Sequence, residues 1–188
     1  MELFLRNRKG ESFSGDRHIV EQLEDSKLFV TIDAVGHGDE ASRVADIATD
    51  TIKQQLSKSL VDIIQTCQSA LLNTRGVVIC FALYLPKNNR VYYYGVGNIR
   101  CLLISRSRVI QVNSIPGIFG TKNQTVNLSQ LEVSPQTQLL MFTDGIDALP
   151  SAIYPLLRSM NSRHIINFLS HEWSGQDDIC CLCESLNG

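Results

Sequence analysis

No apolar run in the 188 residues approaches the roughly 18–20 needed to cross a bilayer, so no transmembrane helix is expected. The N-terminal MELFLRNRKGES mixes charges into its apolar residues and lacks the unbroken apolar core of a secretion signal. An excess of charge of one sign is missing as well. Lys and Arg number 17 against 19 Asp and Glu, a formal net charge of -2, which gives no basic face for nucleic acid. Internal repeats, low-complexity tracts and Pro/Gly-rich linkers are absent, so residues 1–188 read as one domain. Cys-x-x-Cys pairs and Cys/His knuckles are absent too, which removes the usual zinc frameworks. The expectation is a soluble, cytoplasmic, single-domain protein that touches neither membrane nor nucleic acid.

What is present is ordinary globular material, 44% hydrophobic and 19% charged. Six cysteines fall in apolar surroundings. Cys67, Cys80 and Cys101 are isolated, while Cys180, Cys181 and Cys183 crowd into DICCLC. Strand alternation would put Cys181 and Cys183 on one face and Cys180 on the other. Reduced, packed thiols are expected, with metal or redox chemistry as the alternative.

Short strands are read at residues 2–6 and 17–22, and a third at 27–32 runs up to Asp33. From Glu40 the period becomes helical, with Ala41, Val44, Ala45, Ala48, Ile52 and Leu56 forming one apolar stripe. Leu60, Ile63, Ile64, Cys67 and Leu71 repeat that spacing in a second helix. After Gly76 come VVICFALYL, a PKNN turn at 86–89, RVYYYGVG, CLLIS and RVIQV, all read as strands or hairpin turns. TQLLMFTD, residues 137–144, is read as a strand ending in an acid. Two short helices at 151–158 and 162–171 precede a closing strand, DDICCLCES. Strands grouped together, with few helices between them, imply an α+β fold with mainly antiparallel sheets.

One arrangement recurs along this pattern: an acid abutting an apolar strand beside a turn. It appears as Asp33 in VTIDAVGHG, Asp144 in MFTDGID and the pair Asp177–Asp178 in GQDDICC, with Asp16 beside a glycine in SFSGDRH. Carboxylates gathered at one sheet edge repel one another unless cations intervene. Hard divalent ions such as Mg²⁺ and Mn²⁺ take such oxygen ligands, and two of them can acidify a shared water near a phosphoryl group. Turn and helix-capping roles for the same acids are the competing reading.

SGD, DAVGHG, GVGNIR, FTDGID and DDI follow in order the motifs of PPM-type serine/threonine protein phosphatases, and the chain resembles the SpoIIE-like branch of that family from about Glu11 to Cys183. The resemblance implies an αββα sandwich of two mainly antiparallel sheets flanked by helices. It also implies a site for two ions, Mn²⁺ or Mg²⁺, at one sheet edge. Carried over by position, Asp33 would bridge the ions, the Ala34 carbonyl would face the second, Asp144 and Asp177 would complete the first, and Asp16 would serve the second. Asp178 is the rival to Asp177. Asn98 in GVGN matches a turn or scaffold position, and Gly97 a position of backbone geometry. His37 in the GHG loop would bind phosphate or protonate the leaving alkoxide, with a structural hydrogen bond as the equal alternative.

Two positions depart from the family pattern. Ala34 stands where glycine is common, which a backbone ligand tolerates at negative φ. Gly15 stands where many eukaryotic relatives carry an acid, which implies weaker metal dependence and a leaning towards Mn²⁺. The implied reaction is attack by metal-activated hydroxide on phosphoserine or phosphothreonine, with no covalent phosphoenzyme. No sensor, coiled coil or membrane segment is read ahead of Glu11, so the form resembles the branch's stand-alone stressosome phosphatases. Implied partners are phosphorylated stressosome and STAS-domain proteins, or alternatively a phosphorylated anti-anti-sigma factor. A non-catalytic phosphoprotein-binding module and a small-molecule phosphatase are the other readings.

Overall fold

The computed structural model describes residues 1–186, and the last two residues of the single domain read from sequence lie outside them. Among the described residues, ten strands form two five-stranded sheets. In chain order they are β1 (Glu2–Arg6), β2 (Asp16–Gln22), β3 (Lys27–Ala34), β4 (Val77–Leu85), β5 (Arg90–Val96), β6 (Arg100–Ile104), β7 (Val109–Val112), β8 (Ser129–Glu132), β9 (Thr137–Phe142) and β10 (Ile179–Leu186). One sheet runs β1-β10-β9-β6-β7 and the other β2-β3-β4-β5-β8. Every strand pair is antiparallel. Helices α1 (Gly38–Gln54) and α2 (Leu60–Ala70) follow β3, and α3 (Tyr154–Ser159) and α4 (Ser162–Glu172) follow β9.

Alternation along the strands sorts the side chains into three apolar layers. On β3, Leu28, Val30, Ile32 and Ala34 face α1 and α2, where Ala41, Ala45, Ala48, Ile52 and Ile64 meet them. Phe29 on the opposite face joins Tyr93, Met141 and Leu182 between the sheets. Cys181 and Cys183 turn outward to Ile165 and Leu169 of α4. The order is helix, sheet, sheet, helix, as expected. All six cysteines are free and buried, with Cys181 and Cys183 on one face as the alternation required.

Several boundaries move. β3 continues through Asp33 to Ala34 instead of stopping before the acid, because both residues stay paired with β4 opposite Val78 and Val77. β2 begins at Asp16, one residue earlier than its apolar pattern suggests. β9 ends at Phe142, so Asp144 sits in the turn beyond the strand. Asp177 and Asp178 precede β10 and are not part of it. Helix α1 starts at Gly38, before the first apolar residue of its stripe, and its first turn carries Asp39 and Glu40, which favour the positive end of the helix dipole. Leu56 and Leu71 lie past the ends of their helices but still pack on that core. Strand β8, SQLE, was not expected from sequence. It is an exposed edge strand held through pairing with β5.

Candidate metal centre

The twist and register of the sheets bring one end of each to a common rim. Asp16 and Asp33 are direct partners across the β2–β3 ladder. Both side chains project between the sheets, on the faces that carry Val20 and Phe29. Thr143, just past β9, reaches across from the other sheet and donates its hydroxyl to Asp16 Oδ2 at 2.6 Å. The same oxygen of Thr143 accepts the Cys180 backbone N–H at 2.9 Å. Asp16 is thereby tied to the opposite sheet and is 1% exposed.

A cavity of about 280 Å³ opens at this rim, lined by Arg8, Asp33, Val35, His37, Asn98, Asp144 and Asp177 among others. Asp144 and Asp177 are exposed on its wall, while Asp16 lies behind it in the core. Burial pushes the Asp16 carboxyl up to about 8, against a lowering hydrogen bond from Thr143, and Asp178, Asp144 and Asp177 raise it further by repulsion. Burial likewise pushes Asp33 up to about 9, with Asp16 the foremost of the neighbouring charges. Five carboxylates therefore share one field, and no Lys or Arg ion-pairs with any of them among the described residues. Such an arrangement is stable in its charged form only with added positive charge.

Does this donor set fit divalent ions? Its members are hard oxygens, which is the chemistry Mg²⁺ and Mn²⁺ require. Among the described residues, no three His, Cys, Asp or Glu side chains close on a single point. The carboxylates line a gap instead of filling it. Mg²⁺ dehydrates reluctantly and commonly keeps several waters beside one or two carboxylates, so an open acidic cavity suits it better than a closed cage. The residues fit the ions.

Neighbouring groups explain the motifs. Gly36 and Gly38 have φ of +99° and +74°, so the GHG loop turns through conformations that side chains disfavour. His37 at the helix entry makes no capping bond with its side chain. Instead its Nδ1 meets Glu11 Oε1 at 2.8 Å, and because an ionised carboxylate only accepts, Nδ1 carries the proton. Gly97 also has positive φ, +99°, and a Cβ there would collide with the Val78 side chain. That turn delivers Asn98, whose Nδ2 donates to Asp144 Oδ2 at 2.8 Å. Asn98 is thus a partner of a candidate ligand, more than a turn residue. Gly15 has its own cause: a Cβ at this position would lie 3.1 Å from Ala41 Cβ and 3.3 Å from the Ala34 carbonyl oxygen. Any side chain at position 15 would need Ala41 or that carbonyl to give by a few tenths of an ångström. Ala34 itself lies in regular strand, as its negative-φ tolerance required.

The two acids of the DD pair part company. Asp177 lines the cavity, whereas the Asp178 carboxylate is turned to backbone donors, Arg8 N–H and Gly15 N–H, each at 2.7 Å. Sequence reasoning missed Arg8 and the Glu11 partner of His37. Both sit in a polar stretch before β2 with no periodicity to single them out.

A family model described as stage II sporulation protein E, SpoIIE, matches residues 24–183. The chain belongs to the SpoIIE family. It is 23% identical over 183 residues to the phosphoserine phosphatase RsbX of Bacillus subtilis strain 168, covering 96% of this chain and 92% of RsbX. The crystal structure of RsbX in complex with magnesium superposes with a TM-score of 0.87 at 22% identity, over 96% of this chain and 92% of that one. A chain of a solved structure described as the bacterial stressosome, a modular system that has been adapted to control secondary messenger signalling, gives a TM-score of 0.83 at 26% identity over 96% of both chains. The fold of this SpoIIE-family member is that of the PP2C phosphatases, two antiparallel sheets with four helices.

Proposed function

We propose that this protein is a metal-dependent serine/threonine protein phosphatase that dephosphorylates stressosome or STAS-domain regulatory proteins in the cytoplasm. The observation that carries this is the pair Asp16 and Asp33, set opposite each other across β2–β3 with raised pKa values and no cationic partner among the described residues, at the back of a cavity walled by Asp144 and Asp177. The likeness to RsbX, a phosphoserine phosphatase, over nearly the whole of both chains supports the substrate class. In the described residues no helix is long and apolar enough to cross a membrane.

Asp33, Asp144 and Asp177 at the cavity, with Asp16 and the Ala34 carbonyl behind them, are the groups that would hold the ions, Mn²⁺ or Mg²⁺. When bound, such ions supply charge neutralisation and the acidification of water. The chain's own residues do the rest. Asn98 fixes the Asp144 carboxylate through its amide, as outer-shell donors commonly do for ligands. Arg8 is the one Lys or Arg that lines the cavity and has no ion-pair partner among the described residues, so its charge is available to a phosphate dianion. Glu11 holds the proton on His37 Nδ1, which leaves Nε2 for a phosphoryl oxygen or, in the protonated ring, for the departing alkoxide.

The test is turnover of a phosphorylated STAS-domain protein and of p-nitrophenyl phosphate with Mn²⁺, repeated with chelator. Metal-dependent release of phosphate from the phosphoprotein is expected. Turnover of the small ester alone would overturn the signalling role. Release from a phosphorylated anti-anti-sigma factor alone would move the substrate to that class, and binding without release would make the protein a phosphoprotein-binding module.

A further inference from the structure

Residues 7–15 cross from β1 to β2 without regular secondary structure and carry Arg8 to the cavity and Glu11 to His37 on its wall. Asp178 holds this strap at two points. Its Oδ1 accepts Arg8 N–H and its Oδ2 accepts Gly15 N–H, each at 2.7 Å, and the residue is 5% exposed. One buried carboxylate thus closes the segment at both ends. Lys9 N–H to the Gly175 carbonyl at 3.1 Å and Lys9 Nζ to the Ser174 carbonyl at 2.9 Å fasten it to the loop just before the DD pair. Glu11 fastens it to His37 as well.

We infer that Asp178 is a positioning residue for substrate phosphate: it takes no metal, and it acts through the strap by holding Arg8 at the cavity. This deepens the phosphatase reading and rests on it. Both Asp178 oxygens are engaged by backbone donors, whereas Asp177 accepts the N–H of Asp178 on Oδ1 and keeps its other oxygen for the cavity. Freeing the strap would restore backbone freedom to the segment that carries Arg8, so substrate binding would then have to order it. Asp178→Asn is the selective lesion. An amide has one accepting oxygen, so its NH₂ would oppose one of the two backbone donors and release one end.

Hydrogen exchange and kinetics on the Mn²⁺-loaded protein test this together. In the wild type, the Arg8 and Gly15 amides are expected to exchange much more slowly than those of Gly10, Ser12 and Phe13; equal exchange overturns the clamp without any variant. In Asp178→Asn, exchange across 8–15 should quicken at least about tenfold and KM for p-nitrophenyl phosphate should rise about tenfold, with kcat changed less and the Mn²⁺ activation midpoint unmoved. Arg8→Ala should raise KM similarly, and the double variant should be no worse than the worse single one, the mark of one shared interaction. A shifted Mn²⁺ midpoint with unchanged exchange would make Asp178 a ligand and overturn the inference, as would additive KM effects. Absence of wild-type turnover would overturn the phosphatase reading, while the exchange comparison would still decide the strap.

Discussion

The two ends of the sandwich carry charge between the same strands and treat it in opposite ways. At the far end, Lys27 opens β3 and Glu184 lies near the close of β10, and the two form an ion pair that crosses from sheet to sheet. Lys27 also lies over the Phe29 ring. At the near end, the same face of β3 ends in Asp33, and the chain entering β10 supplies Asp177 and Asp178. Here the partners are other acids. A partly buried charge with an opposite partner adds stability or breaks even, while like charges held together cost stability until something binds between them. The far end is therefore a closure of the fold, and the near end, the candidate site, is built at the expense of the fold.

Removing charge from each end should have opposite effects. The largest change is expected from Asp33→Asn: phosphatase activity should fall more than about 100-fold, while the thermal stability of the chelated protein holds or rises. Loss of stability to match the loss of activity, read by calorimetry beside the assay, would erase the contrast between the ends.

Next in size is the pH response of the metal-free protein. Burial and neighbouring acids raise the folded pKa values of Asp16 and Asp33 to about 8 and about 9, above the ordinary carboxylate value of 3.8, so the unfolded chain releases their protons first. Their contribution to stability is present in full below the unfolded pKa and is lost as pH rises through the folded values. In chelator, the melting temperature should therefore drop between pH 5 and pH 9, and Mn²⁺ or Mg²⁺ should remove most of that drop. A flat profile in chelator would mean that the acids are neutralised from within the chain.

Asn98→Ala should lower activity by about tenfold and weaken Mn²⁺ activation, because Asp144 loses its amide donor. An unchanged metal titration would reduce Asn98 to a turn residue. The smallest effect on catalysis belongs to the far end. Lys27→Met should cost about 1–3 kcal/mol in denaturant unfolding by leaving Glu184 unpaired, with kcat and KM unaltered. A loss of activity in that variant would show that the two ends are coupled through β3.

The sequence carried the layers clearly. The stripes at Ala41–Ile52 and Leu60–Cys67 and the continuous runs of β4, β6 and β9 announce burial on one face or two, and that burial is what folding enforces. Strand β8 stayed hidden because a polar edge strand is stabilised by pairing with β5, an interaction between distant residues that leaves no local pattern. Asp16, Asp33, Asp144 and Asp177 stood out for a related reason: an acid against an apolar run is locally expensive, and expense is legible one residue at a time. Arg8 and the Glu11–His37 pair carried no such mark, since charged residues in a polar stretch are cheap wherever the chain then takes them.

Sequence by itself determined that this chain would pack mainly antiparallel strands against amphipathic helices and that several acids would stand at the margins of that core, because hydrophobic period and local cost are properties of neighbouring residues. The two-sheet sandwich was legible only through the family resemblance. Only the tertiary structure decided that Asp16 faces Asp33 and that Asp177 turns to the cavity while Asp178 turns to the backbone of residues 8 and 15. Those choices depend on register and on donors up to 170 positions away in the chain, and direction in space is fixed only when distant segments meet.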